Sequence, residues 1–540
     1  MHTGSSLPGL EPTVWKKPSD FRVLLVYPNI QHSAMMPYSM GLFTALLRQS
    51  GFEVALFDGT FYVEELTANS VHYRTYVKRF DWLERGVTFR QSRMLDDFRA
   101  KVADYQPDLI ALTVVENTYS VARELMRALP EKDRRIPTIW GGPFATFAPD
   151  YILRDQVGDF VCRGEGEIAL IELCKRLCEG RPVTDIPNMW VRQDGTVHRN
   201  QLGPRVDLDS LPFADYSLFE EQAIYRPMEG RLWRTVGIES QRGCPFQCTY
   251  CNSPGQNRIA SEEQGSLFYR RKSLSRVMAE LEHQHKQHNI ELVYWLADTF
   301  LALPRRDFDE MVDRYQDFRI PFWMNTRSET ITERTADGLE RMNMLRMSVG
   351  IEHGNAEYRR KYLKRYQTNE QLRRAFEIAS GRSFSTTGNC IIGMPEETRE
   401  LIFETLEFTR SLPGDVDTTG CFIFSPLHGT ELRQVAIMNG YLDPATLCDL
   451  ADPTTSILDQ PQLSRAEVIG IAKTFGLYQC APASDWPRIR MAEADTPAGD
   501  AMLDILQREY RPEDAGTSGA YARAAGAEQV SQPVNPAAAH

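Results

Sequence analysis

The nine residues Gly243-Cys244-Pro245-Phe246-Gln247-Cys248-Thr249-Tyr250-Cys251 put three thiols on one short loop. The spacing is C-x3-C-x2-C, with an aromatic residue directly before the last cysteine. A β-branched run at 235–240 precedes it, which predicts a loop at the C-terminal end of a strand. Three thiolates so arranged can each take one iron of a cubane cluster, leaving the fourth iron without a protein ligand. Structural zinc wants four ligands, usually in paired C-x2-C halves, and the sequence has no second pair. The other cysteines are scattered and read as small apolar core residues.

Outward from this loop, strand signals recur near 235–240, 291–297, 321–325, 345–351, 385–393 and 419–425. Helical periodicity falls between them, at 273–287, 306–316, 330–342, 368–379 and 397–411. Six such units predict a partial (β/α)6 TIM-like barrel over 231–432, with its chemistry at the C-terminal strand ends. Upstream, RVLLVY (22–27), EVALF (53–57), DLIALT (108–113), IPTIW (136–140) and DFVC (159–162) alternate with helical patterns at 38–50, 117–129 and 167–178. That alternation predicts an α/β domain, a Rossmann-like doubly wound parallel sheet over 21–182.

Residues 60–96 form a polar, aromatic-bearing insertion with no assigned place. The segment 183–230 reads as a linker lying on a surface, with an Asp194-Gly195 hairpin signal inside it. A small helical region is expected over 433–510, a flexible arm over 1–20 and a disordered tail over 511–540.

Hydrophobic residues are 42% of the 540, an ordinary globular share, and the net charge of -12 disfavours nucleic acid as a partner. No apolar run reaches the roughly 18 residues of a membrane span, and the first residues lack the apolar core of a secretory signal. A reducing, cytoplasmic setting is the expectation, with free cysteines.

The cysteine loop and the strand ends after it resemble the radical S-adenosylmethionine superfamily over roughly 235–430. The resemblance implies a 4Fe–4S cluster on Cys244, Cys248 and Cys251, with S-adenosyl-L-methionine chelating the open iron and being cleaved to a 5′-deoxyadenosyl radical. In WLADTF (295–300), Asp298 is implied to hold the cofactor's amino group alone, because Ala297 stands where many relatives have another acid; a helix N-cap is its plain alternative role. Asn325 and Arg327 are implied at the cofactor carboxylate, with a surface salt bridge as the alternative for Arg327. SVGIE (348–352) is similar to the family's S-x-G-x-E segment, which puts Ser348 and Glu352 near the ribose or amino acid portion. NCIIGMPE (389–396) resembles the adenine-side segment, where Gly393 permits a close backbone approach. SPLHGT (425–430) resembles the sixth strand end.

Residues 20–200 resemble the cobalamin-binding domain fused in front of many such enzymes. GGPFATFAPD (141–150) and DFVCRGEGE (159–167) carry that likeness, with the stretch Pro37 to Gly41 as a third glycine-bearing turn. It implies cobalamin held between sheet and barrel, near Thr113, Gly141, Gly142, Glu165 and Gly166. The D-x-H-x-x-G loop that supplies histidine to cobalt is missing; NIQHSAMMPYSMG (29–41) stands there. His32 is the candidate lower ligand, and base-off cobalamin without a protein ligand is the expectation.

Together the two resemblances imply a cobalamin-dependent radical methyltransferase. It would act on an unactivated carbon, or a phosphinate phosphorus, of a small molecule in natural-product (antibiotic) biosynthesis. The implied partner is an external electron donor such as a flavodoxin or ferredoxin. The alternative keeps both cofactors but performs a non-methylating oxidation, cyclisation or rearrangement. A tRNA methylthiolating enzyme is disfavoured by the acidic charge and by the lack of a second cysteine triad. Specificity is assigned to the barrel mouth, 60–96 and 431–510.

Overall fold

The structure is a computed structural model that describes residues 16–29, 36–62, 80–418, 420–448 and 455–510. His32, the expected tail over 511–540 and most of the expected arm lie outside the described residues.

The first lobe is built on β1 (Arg22–Tyr27), β2 (Glu53–Asp58), β3 (Leu109–Thr113), β4 (Thr138–Gly141) and β5 (Phe160–Cys162). These are parallel in the order β2-β1-β3-β4-β5. That is the flavodoxin-like order, with its topological switch between β1 and β3. Continuous apolar runs suit such a sheet because both faces are buried. Val23 and Leu25 join one core, with Leu47 of α1 (Tyr38–Gln49), while Leu24 and Val26 join the other, with Phe98 of α2 (Met94–Tyr105).

Further helices are α3 (Tyr119–Ala128), α4 (Pro143–Phe147), α5 (Pro149–Arg154) and α6 (Glu167–Glu179). An antiparallel hairpin, β6 (Met189–Gln193) and β7 (Thr196–Arg199), continues the sheet beyond β5. Its turn is Asp194-Gly195, both with positive φ as a two-residue hairpin turn requires.

The segment 183–230 is therefore not a surface linker. The β6–β7 hairpin belongs to the first sheet, and β8 (Tyr225–Met228) pairs with the first strand of the second lobe. Between them Leu208, Leu211, Ala214 and Tyr216 are buried without regular structure. The expectation failed because these apolar residues follow neither period, so only the tertiary core shows where they go. The described part of the insertion likewise packs inward: Trp82 is fully buried, and Arg85 pairs with Glu291 of the second lobe at 2.9 Å.

The second lobe runs β9 (Arg231–Glu239), a short β10 (Gln241–Arg242) paired with β11 (Arg270–Arg271), then β12 (Leu292–Leu296), β13 (Phe322–Arg327), β14 (Met344–Glu352), β15 (Ser385–Ile392), β16 (Val416–Asp417) and β17 (Cys421–Ile423). Strands β9, β12, β13, β14 and β15 are parallel neighbours, and β16 and β17 both pair with β15. The sheet stays open, as a partial barrel does. Helices α7 (Ser253–Gln264), α8 (Leu274–His288), α9 (Arg305–Tyr315), α10 (Glu333–Arg341), α11 (Ala356–Tyr362), α12 (Asn369–Ala379) and α13 (Arg399–Arg410) fall between the strands.

Alternation along the strands sorts the residues. Trp295, Phe322, Met347 and Val349 enter the core under the helices, so Tyr294, Asn325, Ser348 and Asn389 take the opposite, inner face.

After β17 come α14 (Glu431–Met438), α15 (Arg465–Cys480), α16 (Trp486–Ala492) and α17 (Pro497–Tyr510). The buried α15 packs against β17 and α13, covering the open edge of the barrel. Among the described residues no helix is long and apolar enough to cross a membrane.

Candidate active site

The cysteine loop hangs from β9 and β10 and ends where α7 starts. Gly243, at φ +72, makes the turn into it, and a Cβ there would meet the Phe268 ring at 2.9 Å. Cys244 and Cys248 are buried and Cys251 is half-buried. Each thiol has a neighbour: the Cys244 Sγ lies 3.4 Å from the Thr299 hydroxyl, the Ser253 N–H donates to the Cys251 Sγ at 3.4 Å, and Arg327 Nη1 donates to the Cys248 Sγ at 2.7 Å. Asn257 of α7 holds the loop by donating to the Cys244 carbonyl at 2.8 Å.

Burial raises the Cys244 thiol above its usual value, and it pushes Cys251 up to about 11. Without a metal these two would stay protonated; a metal that binds thiolate displaces the protons. Among the described residues no three His, Cys, Asp or Glu side chains are grouped to hold a single ion. Three thiolates on one loop are the ligand set of a cluster that gives each its own iron, whereas structural zinc takes four protein ligands.

Asp298 follows β12 and caps no helix; its carboxylate accepts from Ser253 Oγ at 2.7 Å, two residues past Cys251. It stays exposed and able to meet a cation beside the cluster loop. Asn325 sits on the inner face of β13, in register with Ser348, whose hydroxyl accepts from Asn389 Nδ2 at 2.6 Å. Arg327 is buried rather than on the surface. Its guanidinium stacks 4.1 Å from the Phe246 ring and pairs with Glu329 at 2.6 Å.

Glu352 is engaged within the protein. Its Oε1 accepts from the Tyr250 hydroxyl at 2.9 Å and from the buried Arg365 at 2.8 Å. This locks the aromatic residue that precedes Cys251. Gly393 has φ +78, and its close neighbour is Val468 of α15, which a Cβ would meet at 2.8 Å. The tight approach there is helix on strand end.

On the other side, Thr113, Gly141, Gly142, Glu165 and Gly166 all line one cavity of about 430 Å³. It opens at the C-terminal ends of β3, β4 and β5, where such sheets bind ligands. Leu25, Leu42, Phe43 and Ile139 make part of its wall apolar, while Arg242, Gln256 and Phe268 line it from the second lobe. Gly142 has φ +98, and a Cβ there would meet the Val114 carbonyl at 2.6 Å; a Cβ on Gly141 would meet only the Leu112 carbonyl, at 3.9 Å. Gly41 is part of α1 and packs on Tyr216, so the expected third glycine turn is a helix–chain contact.

Several residues here escaped the sequence reading. Arg242, two positions before Cys244, pairs with Glu165 at 2.7 Å, Glu167 at 2.6 Å and Glu239 at 2.9 Å. Arg270 also pairs with Glu165. Burial opposes ionisation of Glu165, yet these two cations hold it below the usual carboxylate range; burial keeps its neighbour Glu167 above that range. His428, in the sixth strand-end segment, bonds Glu116 at 2.8 Å, and its carbonyl accepts from Asn252 at 2.6 Å. No periodicity marks these residues; only position beside the cysteines and the RGEGE turn could have flagged them.

Comparison with known proteins gives concordant findings. The family model described as the Radical SAM superfamily matches residues 238–409, and that of the B12 binding domain matches residues 34–174. An uncharacterized methyltransferase of Pyrococcus horikoshii is 26% identical over 69% of this chain and 78% of its own length. The anaerobic magnesium-protoporphyrin IX monomethyl ester cyclase of Rubrivivax gelatinosus is 27% identical, over 59% of this chain and 57% of its own. Among solved structures, the fold is similar to that of the radical S-adenosylmethionine methyltransferase TsrM from Kitasatospora setae, with cobalamin and a 4Fe–4S cluster bound. The TM-score is 0.60 at 17% identity, covering 93% of this chain and 98% of that one.

Proposed function

We propose, from the premise that the chain belongs to the cobalamin-binding radical S-adenosylmethionine enzymes, that it transfers a methyl group to an unactivated carbon, or a phosphinate phosphorus, of a small molecule in natural-product biosynthesis. The observation that carries this reading is the shared wall of the cavity. Gly141, Gly142 and Gly166 line it from the sheet, and Arg242 and Gln256, which flank the cysteine loop in sequence, line it from the barrel. A corrinoid in that cavity would lie against the loop that holds the cluster.

The bound cofactors supply a radical from S-adenosylmethionine at the cluster and a transferable methyl group at cobalt. The chain's part is to align the two and keep water out. Cys244, Cys248 and Cys251 would hold the cluster, and the exposed Asp298 carboxylate would hold the cofactor's ammonium. Ser348 and Asn325 present polar groups on the inner face. Tyr250, clamped by Glu352 and Arg365, fixes the last cysteine's approach. The salt-bridged Arg242 anchors the loop's stem to the cobalamin lobe.

A non-methylating oxidation or cyclisation is the second reading, favoured by the likeness to the cyclase. Anaerobic reconstitution followed by turnover with S-adenosylmethionine carrying a deuterated methyl group separates the two. Methyl transfer gives 5′-deoxyadenosine, S-adenosylhomocysteine and label in the product; the alternative gives 5′-deoxyadenosine with no label transferred. Cofactor cleavage that persists in Cys248→Ala would sink the cluster assignment.

A further inference from the structure

Residues 356–366, AEYRRKYLKRY, carry five basic side chains against one acid, in a chain of net charge -12. Two of the five turn inward. Arg359 donates to the His353 carbonyl at 2.6 Å, and Arg365 bonds Glu352 and the Gly350 carbonyl. Arg360, Lys361 and Lys364 face solvent. Lys364 meets Glu431 at 2.6 Å, a pair exposed enough to be screened by salt. Arg360 and Lys361 have no carboxylate within 4 Å among the described residues. Tyr362 is half-buried and Tyr366 exposed beside them.

The inner side of this same segment grips the cysteine loop between Cys248 and Cys251. The Thr249 N–H donates to the Leu363 carbonyl at 3.4 Å, and the Thr249 hydroxyl donates to the Tyr362 carbonyl at 2.5 Å. Arg365 donates to the Tyr250 hydroxyl at 3.0 Å. From the other flank, the Leu432 N–H of α14 donates to the Thr249 carbonyl at 3.0 Å. One layer of chain thus has the cluster-holding loop on its inside and three cations on its outside.

We propose that the face of Arg360, Lys361 and Lys364 docks an acidic one-electron donor protein, and that the Tyr362–Leu363 contact with Thr249 is where the electron enters the cluster. This rests on the reading of Cys244, Cys248 and Cys251 as cluster ligands. The donor, a reduced low-potential flavin or iron–sulfur carrier, is oxidised by one electron and the cluster is reduced by one; no bond to the chain forms or breaks. Charge complementarity selects the partner: an acidic donor is repelled by the chain's overall charge and attracted only locally, which also orients it.

The test uses the reconstituted full chain and follows bleaching of cluster absorbance under two reductants, reduced flavodoxin and dithionite. The double reversal R360E/K361E is compared with K132E/R135E, which changes the charge equally near the N-terminal end of β4. R360E/K361E is expected to slow the flavodoxin-driven rate by about tenfold or more at low salt and to flatten its salt dependence, while the dithionite-driven rate stays at the wild-type value. An unchanged flavodoxin rate, or an equal fall in K132E/R135E, would overturn the docking surface, and so would an equal fall with dithionite. A wild-type protein that takes up no cluster would overturn the cysteine reading, and the docking surface with it, before any donor is added.

Discussion

Glu352 holds φ +66, in the left-handed region that costs a residue with a Cβ about 1–2 kcal/mol. What keeps it there is its carboxylate, shared between the Tyr250 hydroxyl and Arg365. Arg365 is 1% exposed, so its charge has nowhere else to go. Gly350 belongs to the same device, because a Cβ there would collide with the Glu352 carboxylate. Removing one partner of a buried ion pair costs about 3–5 kcal/mol. Glu352→Ala is expected to lose that much in urea denaturation, and Glu352→Gly to be about 1 kcal/mol less damaging because it relieves the backbone. Equal losses in the two variants would show that φ carries no strain. Both should also bind less iron, since Tyr250 loses its clamp beside Cys251.

At the scale of elements, the main strands of both sheets were legible because parallel strands buried on both faces read as short apolar runs, and so were the covering helices that keep a clear 3.6-residue apolar period. What the sequence concealed was α2 between β2 and β3, the short α4, α5 and α11, α7 after the cysteines, whose buried face is Ser253, Gly255, Asn257 and Ala260 instead of an apolar stripe, and the buried 208–216 segment, whose order is tertiary. The site residues divide in the same way. The candidate cysteines stand out by spacing and the candidate glycines by their clustering in strand-end turns, whereas Arg242, Arg365 and His428 act through partners on other elements of the fold.

The turn after β4 offers a test at this scale. Gly142→Ala must fit a Cβ 2.6 Å from the Val114 carbonyl at φ +98 and should lose about 2 kcal/mol of stability. Gly141→Ala meets nothing closer than 3.9 Å, so its stability should stay within about 1 kcal/mol of wild type. Because Gly141 lines the cavity, its methyl group should instead weaken corrinoid binding, read by spectrophotometric titration. Undiminished corrinoid affinity in Gly141→Ala would move the ligand away from that wall.

Over the whole molecule, the two lobes are joined by charge as well as by an apolar core in which Tyr38, Leu42 and Trp82 meet the barrel. Besides the Arg242 cluster, Arg163 meets Glu263 at 2.8 Å. Glu116, in the turn after β3, reaches the barrel and the C-terminal region at once. Its carboxylate accepts from the His428 N–H at 2.8 Å, from the Cys448 N–H at 2.9 Å and from the His428 ring. Burial alone would raise this carboxyl, but the His428 ring and the two main-chain donors outweigh it and hold the group below its ordinary value. A folded-state value below the unfolded one, about 4.3 for glutamate, gives stability that is full above that pH. It is lost as the pH falls through the depressed value. Glu116→Gln keeps the size but not the charge and cannot accept all these bonds equally, so at pH 7 it should be less stable by about 1–3 kcal/mol. The gap to wild type should then narrow as the pH drops below about 4.3, because the wild-type carboxyl takes up the proton that the amide mimics. Thermal midpoints of the two proteins across that range check this. A gap that stays constant into the acid range would mean that the hydrogen-bond geometry, and not the charge on Glu116, carries its contribution to stability.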